Sequence, residues 1–177
     1  MANVRVLVVT VSDTRKARDD ASGSVLVDKF TDAGFQVTRH APVRDDVLVI
    51  RELVRSSAVM NETDAIVLTG GTGVAPRDVT PEAVEAIFEK RIDGIGEEFR
   101  RRSWASPATS PWRESAPDKA LGARAMLSRV TAGIVSGTLV IALPGSPGAA
   151  ELGASLLIDV LPHAVEVMTG KHHHDKK

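Results

Sequence analysis

Three short runs constrain the fold of this chain more than any other feature. Residues 4–11 (VRVLVVTV), Ala65–Thr69 and Thr138–Leu143 are almost unbroken in apolar, mostly β-branched residues, and polar or turn residues bound each of them. A strand with one wet face alternates apolar and polar residues, whereas a continuously apolar strand must be covered on both faces. Residues 35–39 form a shorter fourth candidate. Helical spacing fills the gaps between these runs. Leu26, Phe30 and Ala33 share a face ahead of Gly34, and Val47, Ile50, Val54 and Ala58 repeat the pattern after Asp46, a natural N-cap. Thr80-Pro81-Glu82 and Ser146-Pro147 each read as a cap followed by proline at the first helical position. The alternation predicts an α/β fold: a three-layer, doubly wound, mainly parallel sheet with helices on both faces.

A chain of 177 residues suits one domain at about 150 residues per domain. We expect it over residues 1–170, with a polar tail at 171–177. Residues 125–131 and 134–143 lie on either side of Gly133, which predicts a β-hairpin near 125–143. Between the helical pattern near 100 and this hairpin, residues 103–122 carry Pro107, Pro111, Pro117, Trp104 and Trp112. We read them as a surface insertion, the most mobile internal segment unless the tryptophans are buried at a subunit contact. The net charge is −1 and the isoelectric point about 6.5, which argues against a nucleic-acid or membrane-surface partner. The lack of cysteine excludes disulfides, Cys-based zinc sites and thiol catalysis. No targeting or spanning segment is visible, so a cytoplasmic location is expected.

Open α/β sheets bind ligands beyond the carboxyl ends of their strands. There the sequence places Ser12 and Asp13, then Arg44, Asp45 and Asp46, then Thr69, Gly70, Gly71, Thr72 and Gly73, and finally Pro144, Gly145 and Ser146. Structural loops do not require glycine, hydroxyl or carboxylate groups at all four ends together. The glycine run matches neither GxxxxGK[ST] nor GxGxxG, so it reads either as a tight turn or as a cradle for a phosphate. The turn before Pro147 opens a helix whose free N–H groups favour an anion, or Ser146 is an ordinary cap. Asp45 and Asp78 would oppose bound phosphates unless they act through a divalent cation or a donor network. The plainer alternative is that Asp78 pairs with Arg77 or caps the next helix while Asp45 is solvated. Ser128 and Arg129 add a hydroxyl and a guanidinium suited to a phosphate or a planar heterocycle. Arg100, Arg101 and Arg102 read as a solvated helix face.

Taken together, Thr69-Gly-Gly-Thr-Gly73, Arg77-Asp-Val-Thr-Pro-Glu82, Leu127-Ser-Arg129 and Leu143-Pro-Gly-Ser-Pro147 resemble the motif series of the molybdopterin adenylyltransferase family (Mog/MoaB type). The likeness extends over residues 4–168, and Gly96-Glu-Glu-Phe-Arg100 with Ser103 looks closer to the MoaB branch. The resemblance implies a protein of molybdenum cofactor biosynthesis that binds molybdopterin and adenylylates its terminal phosphate with Mg-ATP. It implies catalytic roles for Asp45 and Asp78, with Mg²⁺ at Asp78. Substrate contacts fall on Ser12, Asp13, Thr69, Gly70, Gly71, Thr72, Gly73, Ser128, Gly145 and Ser146. A homotrimer or a hexamer (a dimer of trimers) is implied, as are contacts with other enzymes of the same biosynthesis. The alternative is a non-catalytic molybdopterin-binding protein of the MoaB branch; the related central domain of molybdopterin molybdotransferases is a weaker likeness. Two departures stand out. The connection from Trp104 to Leu121 is longer than usual, and Arg44 stands where Mog-like members often carry proline.

Overall fold

The computed structural model describes residues 4–13, 20–105 and 125–170. The elements run β1 (Arg5–Thr10), α1 (Ala21–Asp32), β2 (Gln36–Arg39), α2 (Val47–Val59), β3 (Ala65–Thr69), α3 (Thr80–Glu85), β4 (Lys90–Arg91), α4 (Asp93–Ala105), β5 (Thr131–Val135), β6 (Thr138–Leu143) and α5 (Pro147–Met168). One six-stranded sheet has the order β2-β1-β3-β6-β5-β4. The first four strands in that order are parallel, and β5 runs antiparallel between β6 and β4.

The continuous apolar runs are explained by burial on both faces. Val6 and Val8 of β1, Ala65 and Val67 of β3, and Leu139 and Ile141 of β6 enter one core with α1, α4 and α5. Their alternates Leu7, Val9, Ile66, Leu68, Val140 and Ala142 enter the other core with α2 and α3. Helix α5 is long and apolar enough to cross a membrane by length and composition. Its Ala150, Ala154, Leu157 and Leu161 are instead fully buried in the first core, so its apolarity belongs to packing.

The doubly wound, mainly parallel expectation holds, with two corrections at the hairpin side. The hairpin starts at Thr131 and not at 125, because Val135 and Thr138 pair across a two-residue turn. Both turn residues, Ser136 (φ 47°) and Gly137 (φ 77°), have positive φ, the backbone of a type I′ turn. Gly133 lies inside β5, opposite Arg91. A Cβ there would fall 2.4 Å from the Phe88 ring and 2.7 Å from the Lys90 carbonyl oxygen, so this glycine lets β4 close the sheet edge. Trp104 ends α4 and is exposed. The proline-rich part of the insertion, with Trp112, and the tail at 171–177 lie outside the described residues.

One buried carboxylate ties β1, α1 and β2 together. The Asp20 side chain has no solvent exposure. It accepts from the Gly23 amide at 2.9 Å, the Ser22 hydroxyl at 3.2 Å, an Arg39 NH₂ at 2.8 Å and the Thr10 hydroxyl. Burial pushes its pKa up, but these four donors outweigh burial and hold it below 3.8. Its stabilising contribution is therefore complete above about pH 4 and is lost as pH falls from there through the lower folded value. Asp20→Ala removes the carboxylate that Arg39, Thr10, Ser22 and the Gly23 amide share and should cost about 3 kcal/mol at pH 7. Thermal midpoints of wild type and variant should converge as the pH is taken from 5 towards 2.

Candidate functional site

The switch in strand order falls between β1 and β3, and there the chain after β3 makes a left-handed passage. The Thr69 hydroxyl donates to the Pro144 carbonyl at 3.0 Å, and the Gly70 amide donates to the Leu143 carbonyl at 2.9 Å. These two bonds join the exits of β3 and β6. Gly70 has φ +118°, and a Cβ on it would lie 2.1 Å from the Val11 carbonyl oxygen. No other residue can cross the end of β1 so closely. Gly71 has φ +62°, with its missing Cβ 2.8 Å from an Asp45 carboxylate oxygen; the missing Cβ of Gly73 lies 2.6 Å from an Asp78 oxygen. The loop thus runs between the two carboxylates singled out from sequence. Among the described residues, no acceptor takes the N–H groups of Gly71, Thr72 or Gly73. Consecutive free amides at a strand end form an anion-binding concavity.

Thr80 is not the N-cap of α3. Val79 holds that position without a side-chain bond, and the buried Thr80 hydroxyl donates to the Gly70 carbonyl at 2.8 Å. The local Thr-Pro-Glu signature loses to a tertiary contact that fixes the glycine loop. Neither plain alternative for Asp78 holds. Its carboxylate accepts from the Ala75 amide at 2.8 Å, closing a short loop upon itself, while Arg77 reaches across to pair with Asp13.

Asp13 and Asp45 clasp each other through the backbone. The Asp13 amide donates to Asp45 Oδ2 at 3.0 Å, and the Asp45 amide to Asp13 Oδ1 at 3.1 Å. Burial raises the Asp45 pKa above 3.8, and the negative charges of Asp13 and Asp78 add to the rise. The Asp13 amide and the Arg77 charge offset it only in part. Ionising Asp45 therefore costs more in the fold than in the unfolded chain. Asp45→Asn should raise the thermal midpoint at pH 7, and the gain should shrink as pH falls through the folded pKa of the wild-type carboxyl. A scan of midpoint against pH checks both the sign and the window.

The remaining expected residues lie around this centre. Ser12 leaves β1 with its amide bonded to the Val43 carbonyl at 2.8 Å. Ser146 caps α5 by accepting from the Ala149 amide at 3.3 Å, and Gly145 precedes it at the β6 exit. Ser128 adjoins the glycine loop, because the next amide, that of Arg129, donates to the Thr72 carbonyl at 3.2 Å. Among the described residues, the buried Ser128 hydroxyl has no hydrogen-bond partner, and Ser128 lines a cleft of about 410 Å³ together with Arg91, Arg100, Met126 and Arg129. Of the arginine run, Arg101 and Arg102 pair with Glu98 on the surface. Arg100 instead turns inward to the carbonyls of Ser128 and Val130 at 3.4 and 3.3 Å. No local signal carries Arg77 to Asp13 across 64 residues.

Among the described residues, no cluster of three or more ligating side chains forms a metal cage. Mg²⁺ is commonly held by one or two carboxylates with substrate phosphates completing its shell. Asp78, with Asp45 across the loop, fits a cation that enters with a polyphosphate, not a resident ion.

The family described as "Probable molybdopterin binding domain" matches residues 7–163. The chain is 37% identical over 163 residues to molybdenum cofactor biosynthesis protein B of Bacillus subtilis, spanning 92% of this chain and 88% of that one. It superposes on a crystal structure of a molybdenum cofactor biosynthesis protein B with a TM-score of 0.83 at 35% identity, covering 95% of this chain and 97% of the other. The molybdopterin biosynthesis Mog protein of Mycobacterium ulcerans gives 0.75 at 29% identity, covering 96% and 99%.

Proposed function

The chain belongs to this family of molybdopterin-binding domains, a family of molybdenum cofactor biosynthesis, and on that premise we propose that it binds molybdopterin and adenylylates its terminal phosphate with Mg-ATP. The observation that carries the proposal is the row of free amides at Gly71, Thr72 and Gly73, with Asp45 and Asp78 on its two sides. A cradle for phosphate beside two carboxylates suits a reaction that brings two polyanions together in the presence of a divalent cation.

In the reaction, an oxygen of the molybdopterin phosphate attacks the α-phosphorus of ATP. The α–β bond breaks, a phosphoanhydride forms and pyrophosphate leaves. Positioning and charge compensation supply most of the catalysis in such transfers. The glycine-loop amides receive phosphate oxygens, and the N-terminal end of α5 behind Gly145 and Ser146 favours a second anion. Asp13 and Asp45 hold the β1 and β2 exits together, so Ser12 and the loop share one rigid wall. The cleft beside Ser128 is of a size that suits a small heterocycle. Bound at Asp78 and Asp45, Mg²⁺ supplies charge neutralisation for the polyphosphate.

We assign one domain over residues 1–170, a cytoplasmic location, assembly as a trimer or a pair of trimers, and contact with other enzymes of the biosynthesis. Light scattering tests the assembly: a monomer at micromolar concentration contradicts it. The higher likeness to a protein B structure than to the Mog protein favours one second reading, a MoaB-branch protein that binds molybdopterin without reacting it. Calorimetric titration with molybdopterin, followed by mass spectrometry after adding Mg-ATP, separates the two. The proposal expects saturable binding and an AMP adduct. Binding with no adduct supports the second reading, and no binding contradicts both.

A further inference from the structure

We propose that Arg129 is the positioning residue of this site, setting the glycine loop and Asp78 through their backbone carbonyls. The inference rests on the transfer reading above. All three of its guanidinium nitrogens have protein partners. Nε donates to the Gly73 carbonyl at 2.8 Å, one terminal nitrogen donates to the Asp78 carbonyl at 2.6 Å, and the other pairs with Glu82 of α3. The sequence alone suggested a direct anion or heterocycle contact, but this guanidinium is already engaged.

The two carbonyls it holds are the two ends of one small loop. Between them, the Ala75 amide donates to the Asp78 carboxylate at 2.8 Å and the Asp78 amide to the Ala75 carbonyl at 2.9 Å. The segment from Gly73 to Asp78 is thus closed on itself and gripped at both ends by one planar fork. The Arg129 amide adds a fourth bond, to the Thr72 carbonyl at 3.2 Å. The carbonyls of Thr72, Gly73 and Asp78 thus all accept from the one residue Arg129. Glu82 anchors the guanidinium to α3, which carries Thr80 and so the Gly70 carbonyl as well. Lysine offers a single point charge and cannot span two carbonyls and a carboxylate.

The test uses Arg129→Lys, Asp78→Asn and the double variant in the full chain. In ligand-free protein, Arg129→Lys should keep a cooperative thermal transition while the Ala75 and Asp78 amides exchange about tenfold faster, with amides of β1 and β3 unchanged. AMP transfer should fall about a hundredfold, the usual cost of displacing a reacting group by about 1 Å. Because Arg129 acts in part through Asp78, the loss in the double variant should be smaller than the product of the two single losses. Residues that contribute independently would multiply their effects. Multiplied effects, wild-type exchange or wild-type turnover in Arg129→Lys each overturn the assignment. The exchange measurement needs no turnover. If the wild-type protein itself transfers no AMP, the transfer reading fails, and exchange still decides whether Arg129 holds the loop.

Discussion

On the proposed reading, Asp78→Asn should leave the fold in place and lower AMP transfer by roughly a thousandfold, or about 4 kcal/mol of transition-state stabilisation. The fold should survive because the side chain has one local structural duty. It accepts from the Ala75 amide, and an asparagine carbonyl oxygen can do the same at nearly identical geometry. Only the charge is removed. That charge stands across the glycine loop from Asp45 and interacts with it, being one of the causes of the raised Asp45 pKa. Two carboxylates so close to a phosphate cradle oppose anion binding unless a cation joins them. Molybdopterin affinity, which the proposal places on the loop amides and the cleft, should therefore be kept. Affinity and transfer are to be measured on one preparation of the variant. Retained turnover, or joint loss of binding, turnover and fold, would make Asp78 structural.

The largest stability effect should come from Gly70→Ala, at roughly 3 kcal/mol or more. Two costs add there. The backbone has φ +118°, and the new Cβ would sit 2.1 Å from the Val11 carbonyl oxygen. That oxygen is backbone at the end of β1, next to the Val11 amide bonded to the Thr69 carbonyl at 2.9 Å, so it cannot move aside alone. Gly34 provides the control. It ends α1 with φ +83° and nothing within 4 Å of its missing Cβ. Gly34→Ala should cost only the conformational part, about 1 kcal/mol. Urea unfolding of both variants gives the difference directly. Equal losses would mean that the close pass of the loop over β1 is not a constraint.

Burial on both faces made much of the fold legible. The limits of β3 and β6 follow from composition because every residue in them is buried, and the apolar ones enter one layer or the other. β4 could not be read: it is two exposed charged residues, Lys90 and Arg91, with no period to detect. β5 was obscured by Gly133, which looks like a boundary and is in fact the space that Phe88 fills. At the site, strand-end position singled out Ser12, Asp13, Asp45, the glycine run and Asp78, and topology brings those strand exits together. Side-chain partnerships were less legible. Thr80 looks like a cap until the Gly70 carbonyl is placed above it, and Arg100 looks like its two neighbours until α4 is docked on β5. Arg129 looks like a ligand contact until its partners are counted. In each case a local signature was overridden by a group distant in sequence.

Catalysis at the glycine loop is most directly tested by pyrophosphate release from ATP, measured with wild-type protein and with molybdopterin, Mg²⁺ or protein omitted in turn. Release that requires all three, matches AMP-molybdopterin mole for mole and falls away in Asp78→Asn is the predicted result. Tight molybdopterin binding with no pyrophosphate released under any condition would contradict it.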